Sequence, residues 1–296
     1  MAPASLPTAK LNTGAEIPML AYGTGTALFK TSNYDTLDRT TVDYIKTALS
    51  LGYYHLDGAE LYNTEPEIGA AIKESGIPRE KLFITTKIKV IHNITNIEKG
   101  LDASLQKLGV VYVDLYLIHS PFFTTSKTAL QEAWKGMEAV FKSGKAKAIG
   151  VSNHLRSHLE SILEVATIIP VINQLEYNPY LQREGIVEWA REKGILTAAY
   201  GPLVPIRKAR PGPLDPVLER LAGKYEVCQE AVLLRWTMQM GVVAVTTSGK
   251  RERLEGYLEA ASFELSGDEV DEITRVGKTK HFRGNNWMHD YGDSRE

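Results

Sequence analysis

Four polar side chains stand where short apolar runs end. Asp57 closes YYHLD, Lys87 closes LFITTK and His119 closes VDLYLIH, and Tyr62 follows Asp57 in DGAELYN. Each alone has an ordinary explanation. An Asp before Gly58 suits a tight turn, a tyrosine can be a buried ring with a satisfied hydroxyl, a terminal lysine returns a strand to solvent, and a histidine can bond a carbonyl. Together they form a proton-transfer set. A lysine held in a buried site needs a counter-ion, and Asp57 can supply it. The resulting ammonium favours phenolate, so it is expected to draw the Tyr62 pKa down from its usual ~10 toward working pH. Tyr62 would then exchange a proton with a carbonyl or alcohol oxygen, and His119 would hydrogen-bond that same oxygen. The four include no electron source, so redox chemistry at the attached carbon would need a bound cofactor.

The elements that must bring these residues together read as repeated βα units. Short apolar runs at 19–23, 53–57, 82–87, 113–119, 146–152, 170–176, 195–200 and 241–247 alternate with helical patterns such as EPEIGAAIKES, NIEKGLDASLQKLG, GIVEWAREKG and CQEAVLLRWTMQM. In ALQEAWKGMEAVF, Leu130, Trp134, Met137 and Phe141 recur at helical spacing, as one buried face requires. Eight strands, each followed by a helix-like segment, predict a single (β/α)8 TIM barrel over residues 1–296, with an N-terminal extension and a C-terminal tail. In that fold chemistry sits at the C-terminal ends of the strands, where Asp57, Lys87 and His119 fall. The Pro-rich stretch 201–216, GPLVPIRKARPGPLDP, reads as a long functional loop between a strand and a helix.

Composition narrows the partners. With 34 basic and 36 acidic residues the net charge is −2, which gives no basic surface for nucleic acid or an anionic membrane. No apolar run approaches the ~18 residues of a membrane span, and MAPASLPTAKLNTG has no charged start leading into an apolar block. The lone Cys228 fits a reducing compartment. The expectation is a cytoplasmic protein acting on a small molecule, for which the NIT sequon at Asn93 carries no meaning.

The ordered set DGAELY, TTK, LYLIHSP, GVSNH, NQLEYNP and AAYGPL resembles the aldo-keto reductases, and the likeness runs from LNTGAEIPML to FELSGDEV. The resemblance implies an NADPH-dependent carbonyl reductase, with NADH as the alternative coenzyme, acting on a small carbonyl substrate. By motif, Tyr62 is the general acid, Lys87 and Asp57 assist it, and His119 orients the carbonyl. The resemblance also implies that Ser152, Asn153 and Gln174 hydrogen-bond the nicotinamide carboxamide and that Tyr200 stacks on its ring. Gly201, Pro202 and Leu203 would approach the pyrophosphate, and Gly23 and Thr24 would border the coenzyme. GTGTAL at 23–28 lacks the third glycine and the βαβ setting of a Rossmann fingerprint, so cofactor binding does not rest on it.

Departures from the family pattern sharpen the expectation. After the eighth strand the chain reads TTSGKRERLEGY. Ser248 and Arg253 keep their places, Thr247 replaces a lysine, and Gly256–Tyr257 replace a Glu-Asn pair. Lys250 and Arg253 at a helix start still suit a 2′-phosphate. Gly25 and Ser120 stand where many relatives carry tryptophan, which predicts a roomier pocket bounded by Gly25, Thr26, Phe29, Phe122 and the tail residue Trp287. In the family that tail folds over the barrel mouth; packing on the outside of the barrel is the other reading. These features resemble a fungal branch that reduces α-keto amides, conjugated polyketones and ketopantoyl lactone. Three rival readings accompany this one. Lys87 could be a Schiff-base nucleophile of an aldolase, the barrel could sense coenzyme without turnover, or His154 and His158 could hold a metal.

Overall fold

The computed structural model describes residues 6–32, 34–89 and 96–284. Its strands are β1 Thr8–Lys10, β2 Glu16–Pro18, β3 Leu20–Gly23, β4 His55–Asp57, β5 Phe83–Ile88, β6 Leu115–Ile118, β7 Ile149–Ser152, β8 Ile172–Glu176, β9 Leu196–Tyr200 and β10 Val242–Thr246. Its α-helices are α1 Arg39–Ser50, α2 Glu65–Ser75, α3 Ile97–Leu108, α4 Lys127–Lys142, α5 Arg156–Leu163, α6 Ile186–Glu192, α7 Val204–Arg207, α8 Asp215–Tyr225, α9 Gln229–Gln239, α10 Arg251–Leu258 and α11 Gly267–Gly277. Strands β3 to β10 pair in parallel and in sequence order, and β10 closes on β3. The expected (β/α)8 barrel is therefore what forms, and each predicted strand is found within a few residues of its predicted bounds. Among the described residues no helix is long and apolar enough to cross a membrane.

Strand alternation explains what fills the barrel. On β6, Leu117 joins an inner cluster with Phe83, Leu115, Ile172, Ala198 and Val243, while Tyr116 and Ile118 pack outward under the helices. Gly150 on β7 makes room for that filling, since a Cβ there would lie 3.0 Å from Leu117 Cδ2 and 2.7 Å from the Ile172 carbonyl oxygen. One pleat further along each strand, the same inward row carries Asp57, Lys87, Gln174 and Tyr200. The sequence thus changes from apolar filling to polar chemistry along one face of each strand.

Two features were not anticipated. The N-terminal extension forms the antiparallel β1–β2 hairpin, and Ile17 and Leu11 join the inner cluster as its plug. The Pro-rich stretch after β9 is not wholly loop, because it holds the single turn α7. Proline at the start of that turn loses no hydrogen bond the helix would have made. Helix α2 shows the opposite end: Gly76 follows its last turn at φ 67°, a left-handed stop that glycine adopts without strain.

His55 lies within the barrel, its Nδ1 3.1 Å from the Pro18 carbonyl oxygen and its Nε2 3.0 Å from Thr85 Oγ1. Burial lowers its pKa from 6.5 to about 4, and burial lowers that of His154 to about 3. Both are neutral when folded and take up a proton on unfolding below pH ~6.5. Their contribution to stability is complete above that pH and is lost as pH falls toward the folded values. Urea unfolding should therefore show a lower midpoint at pH 5 than at pH 7, and an unchanged midpoint contradicts the buried neutral assignment.

Candidate active site

The C-terminal ends of β4, β5 and β8 are tied together by one carboxylate. Lys87 Nζ donates to Asp57 Oδ1 at 2.6 Å and to the Gly58 carbonyl oxygen at 2.8 Å, and Gln174 Nε2 donates to Asp57 Oδ2 at 2.8 Å. Lys87 is fully buried and Asp57 nearly so. Burial works against the Lys87 ammonium, but Asp57 and Tyr62 reverse that effect, and its pKa stands above the ordinary 10.5. A buried, permanently charged amine is a poor Schiff-base nucleophile, which counts against the aldolase reading.

Tyr62 sits on the single 3-10 turn Glu60–Tyr62, with Lys87 Nζ 5.1 Å from its ring centroid and His119 Nε2 3.4 Å from its hydroxyl. The anticipated lowering of the Tyr62 pKa is overturned. Burial raises it above 10.0, and the opposing pull of Lys87 does not compensate. Burial, with the Lys87 charge second, holds His119 well below 6.5, so its imidazole is neutral. A phenol and a neutral imidazole thus face one point. An oxygen placed there could accept from both, with an ammonium behind the phenol.

From this point a cleft of about 550 Å³ runs past Gly23, Gly25, Thr26, Gln174 and Tyr200, along Gly201, Pro202 and Leu203, to Ser248, Lys250 and Arg253. The cleft also takes in Tyr44, Arg207, Lys208 and Tyr257, which sequence reasoning missed. The basic pair in VPIRKAR was the available signal for two of them. Asp57 is the only carboxylate among the described lining residues, and it is matched by Lys87, whereas four cations line the cleft, one of them, Arg207, paired with Glu230 at 2.8 Å outside it. That donor set suits an elongated ligand with a polyanionic end, as a phosphorylated dinucleotide has.

Several predicted residues lie behind the cleft instead. Thr24 is buried, donating to the Asp57 carbonyl oxygen at 3.3 Å and accepting from Thr64 Oγ1 at 3.0 Å. Ser152 donates to the Gln174 carbonyl oxygen at 2.8 Å. Asn153, in the left-handed region at φ 62°, donates to the His119 carbonyl oxygen and to Ser152 Oγ, both at 3.0 Å, and accepts from the Tyr200 hydroxyl at 2.8 Å. Its amide therefore fixes the Tyr200 ring. The walls are less aromatic than the nearby phenylalanines would allow. Phe29 leans on Tyr62 with centroids 6.1 Å apart, Phe122 packs edge-on to His158, and Phe123 packs on the hydrophobic core. Gly25 meets the Tyr62 ring directly, since a Cβ there would lie 2.9 Å from Tyr62 Cζ.

The remaining readings resolve in part. His154 Nδ1 bonds the Ser152 carbonyl oxygen at 2.8 Å and His158 Nδ1 accepts from the Leu155 amide at 3.1 Å, so each histidine has a structural partner. The chain beyond α11 reaches the barrel rim, where the Gly284 amide donates to Glu176 Oε1 at 2.6 Å. Asn93 and the aromatic positions Trp287, His289 and Tyr291 lie outside the described residues.

Residues 21–278 match the Aldo/keto reductase family. The chain is 42% identical over 273 residues to the NAD/NADP-dependent indole-3-acetaldehyde reductase of Schizosaccharomyces pombe, covering 91% of this chain and 95% of that one. It is also 42% identical over 279 residues to the NADPH-dependent alpha-keto amide reductase of Saccharomyces cerevisiae, covering 90% and 89%. The crystal structure of a Bombyx mori aldo-keto reductase in complex with NADP superposes with a TM-score of 0.85 at 31% identity, covering 99% of both chains.

The ion pair itself is testable without any substrate. Asp57→Ala should cost about 3–5 kcal/mol in urea unfolding, because it leaves a buried ammonium uncompensated. The double variant Asp57→Leu/Lys87→Met should recover much of that loss. Equal destabilisation by the two would show that charge pairing is not what the site requires.

Proposed function

The chain belongs to the Aldo/keto reductase family, and from that premise we propose that it is an NADPH-dependent carbonyl reductase in which Tyr62 protonates the carbonyl oxygen. The observation that carries this reading is the placement of the Tyr62 hydroxyl and His119 Nε2, 3.4 Å apart, above the Lys87–Asp57 pair at the head of the cleft. A nicotinamide coenzyme held in the cleft would supply the hydride for the carbonyl carbon. His119, neutral, orients the oxygen by hydrogen bonding. Tyr62, protonated in the free protein, gives up its proton to that oxygen, and Lys87 stabilises the phenolate as it forms. Asp57 keeps Lys87 charged and in place.

Coenzyme binding follows from the lining. Gln174 faces the cleft and can meet the nicotinamide carboxamide, while Asn153, itself bonded to Ser152, would hold Tyr200 from behind for stacking. The turn Gly201–Leu203 would pass beside the pyrophosphate, and Ser248, Lys250 and Arg253 would receive a 2′-phosphate, with Arg207 and Lys208 also lining the cleft. Activated 1,2-dicarbonyls are the proposed substrate class. Gly25 and Ser120 in place of bulky indoles support it, as does the similarity to the alpha-keto amide reductase of Saccharomyces cerevisiae. The barrel is proposed to act as one domain.

Purified protein mixed with NADPH and isatin or ketopantoyl lactone should oxidise NADPH rapidly, and Tyr62→Phe should reduce kcat at least about a hundredfold. NADPH that binds but is oxidised by no aldehyde or dicarbonyl would favour a coenzyme-sensing barrel. Arg253→Ala should raise the KM for NADPH about tenfold and leave NADH use nearly unchanged, since a charge-assisted phosphate contact of about 1.4 kcal/mol is lost only with the former. Equal damage with both coenzymes counts against the 2′-phosphate assignment. A sugar aldehyde turned over more efficiently than the dicarbonyls overturns the substrate class.

A further inference from the structure

A second buried ion pair lies outside the cleft. Lys30, 9% exposed, meets the fully buried Glu67 at 2.9 Å. Lys30 belongs to the long connection between β3 and α1, and Glu67 to the first turn of α2. The Lys30 ammonium also donates to the Thr36 carbonyl oxygen at 2.8 Å and the Tyr34 carbonyl oxygen at 3.5 Å, while Glu67 Oε1 accepts from the Asp38 amide at 2.9 Å. One cation and one carboxylate thus gather the connection from residue 30 to residue 38 onto the start of α2.

The same lysine reaches Tyr62 through its backbone. The Lys30 amide donates to the Tyr62 carbonyl oxygen at 3.1 Å, and Asn63 Nδ2 donates to the Lys30 carbonyl oxygen at 3.3 Å. At its other end the connection is fastened by Thr24, whose amide donates to the Asp57 carbonyl oxygen at 2.9 Å. Between these anchors lie Gly25, in contact with the Tyr62 ring, and Phe29, leaning on it. The wall of Tyr62 and the main chain of Tyr62 are therefore held by the same two fastenings.

A buried ion pair is a costly way to stabilise a fold, because desolvation offsets most of its attraction and an apolar pair of similar volume is often as stable. What it adds is a fixed geometry. We propose that the Lys30–Glu67 pair is a positioning device for the proton donor: it sets the register of residues 24–38 against the Tyr62 turn and so fixes the Tyr62 hydroxyl relative to His119 and Lys87. Neither residue touches the reacting atoms. The proposal rests on the role of Tyr62 given above, and displacement of a reacting group by about 1 Å is enough to cost up to about a hundredfold in rate.

The test uses the full chain with NADPH and a dicarbonyl. In Lys30→Met/Glu67→Met the buried charges leave together, so folding should survive while the register of the connection loosens. Glu67→Gln, which keeps the shape and the hydrogen bond to Asp38, serves as the second, milder variant. Three quantities are read: kcat with its pH profile, KM for the dicarbonyl, and the Kd for NADPH from quenching of tryptophan fluorescence. The expected result for the double variant is a tenfold to hundredfold fall in kcat, with Kd for NADPH within about twofold of wild type. Its alkaline limb of kcat should move to lower pH, because a loosened wall lets water reach Tyr62 and relieves the burial that raises its pKa. For Glu67→Gln the same changes should appear in smaller degree. An unchanged kcat and pH limb in both variants overturns the proposal. A parallel loss of NADPH binding, kcat and thermal stability also overturns it, as a general structural role. If Tyr62→Phe keeps wild-type turnover, the reading of Tyr62 itself fails, a result distinguishable from failure of the latch alone.

Discussion

The Asp57 carboxylate is the constraint on which the rest of the site depends. It receives Lys87 on one oxygen and Gln174 on the other, so three strands, two of them adjacent and one further round the barrel, converge on a single anion. Unpaired, either charge would be prohibitive in a barrel filled with Leu115, Leu117 and Val243. Paired and hydrogen-bonded, they make the interior above that filling permanently polar. Of the two charges the ammonium acts more strongly on Tyr62, where Asp57 partly opposes it, and it also acts on His119. It opposes the burial that raises the Tyr62 pKa, and it adds to the burial that keeps His119 neutral.

That polar layer is visible in the sequence because a strand's pleat is regular. Once an inward row is set by Phe83, the rule of two carries it through Thr85 to Lys87, and from His55 to Asp57. Closure into a barrel was less directly legible: eight apolar runs spaced by helical segments favour a barrel over an open sheet, but it is the pairing of β10 with β3 that closes it. The β1–β2 hairpin was not legible, because three-residue strands contain too little period to distinguish from loop. Nor was α7, a single turn inside a stretch whose prolines argue for irregular chain.

Side-chain roles were harder to read than positions. Asn153 and Ser152 fall at the strand ends the pattern predicts, yet their polar atoms are spent on His119, Gln174 and Tyr200. Which partner an amide chooses depends on what the closed barrel brings within about 3 Å, and that distance is not a property of any local segment. The basic end of the cleft shows the same dependence. The segment from Ser248 to Leu254 is pinned by two buried tyrosine hydroxyls from distant parts of the chain, Tyr22 to the Ser248 carbonyl oxygen at 3.1 Å and Tyr53 to the Leu254 carbonyl oxygen at 2.7 Å. Lys250 and Arg253 are thus carried by the barrel wall itself.

The direction of the Tyr62 shift changes how its chemistry is understood. A proton donor whose pKa had been drawn down near neutrality would be partly ionised before any substrate arrived, and the ionised fraction could not donate. Burial instead keeps the phenol protonated in the free protein. On the role proposed for Tyr62, the Lys87 ammonium would have its largest effect as the O–H bond breaks, when negative charge develops on the phenolic oxygen within a low-dielectric site. Binding would be nearly indifferent to that charge, while the transition state would not. The buried ion pair would therefore supply differential stabilisation, and the same burial that raises the Tyr62 pKa at rest would strengthen the neighbouring cation's effect as the proton leaves.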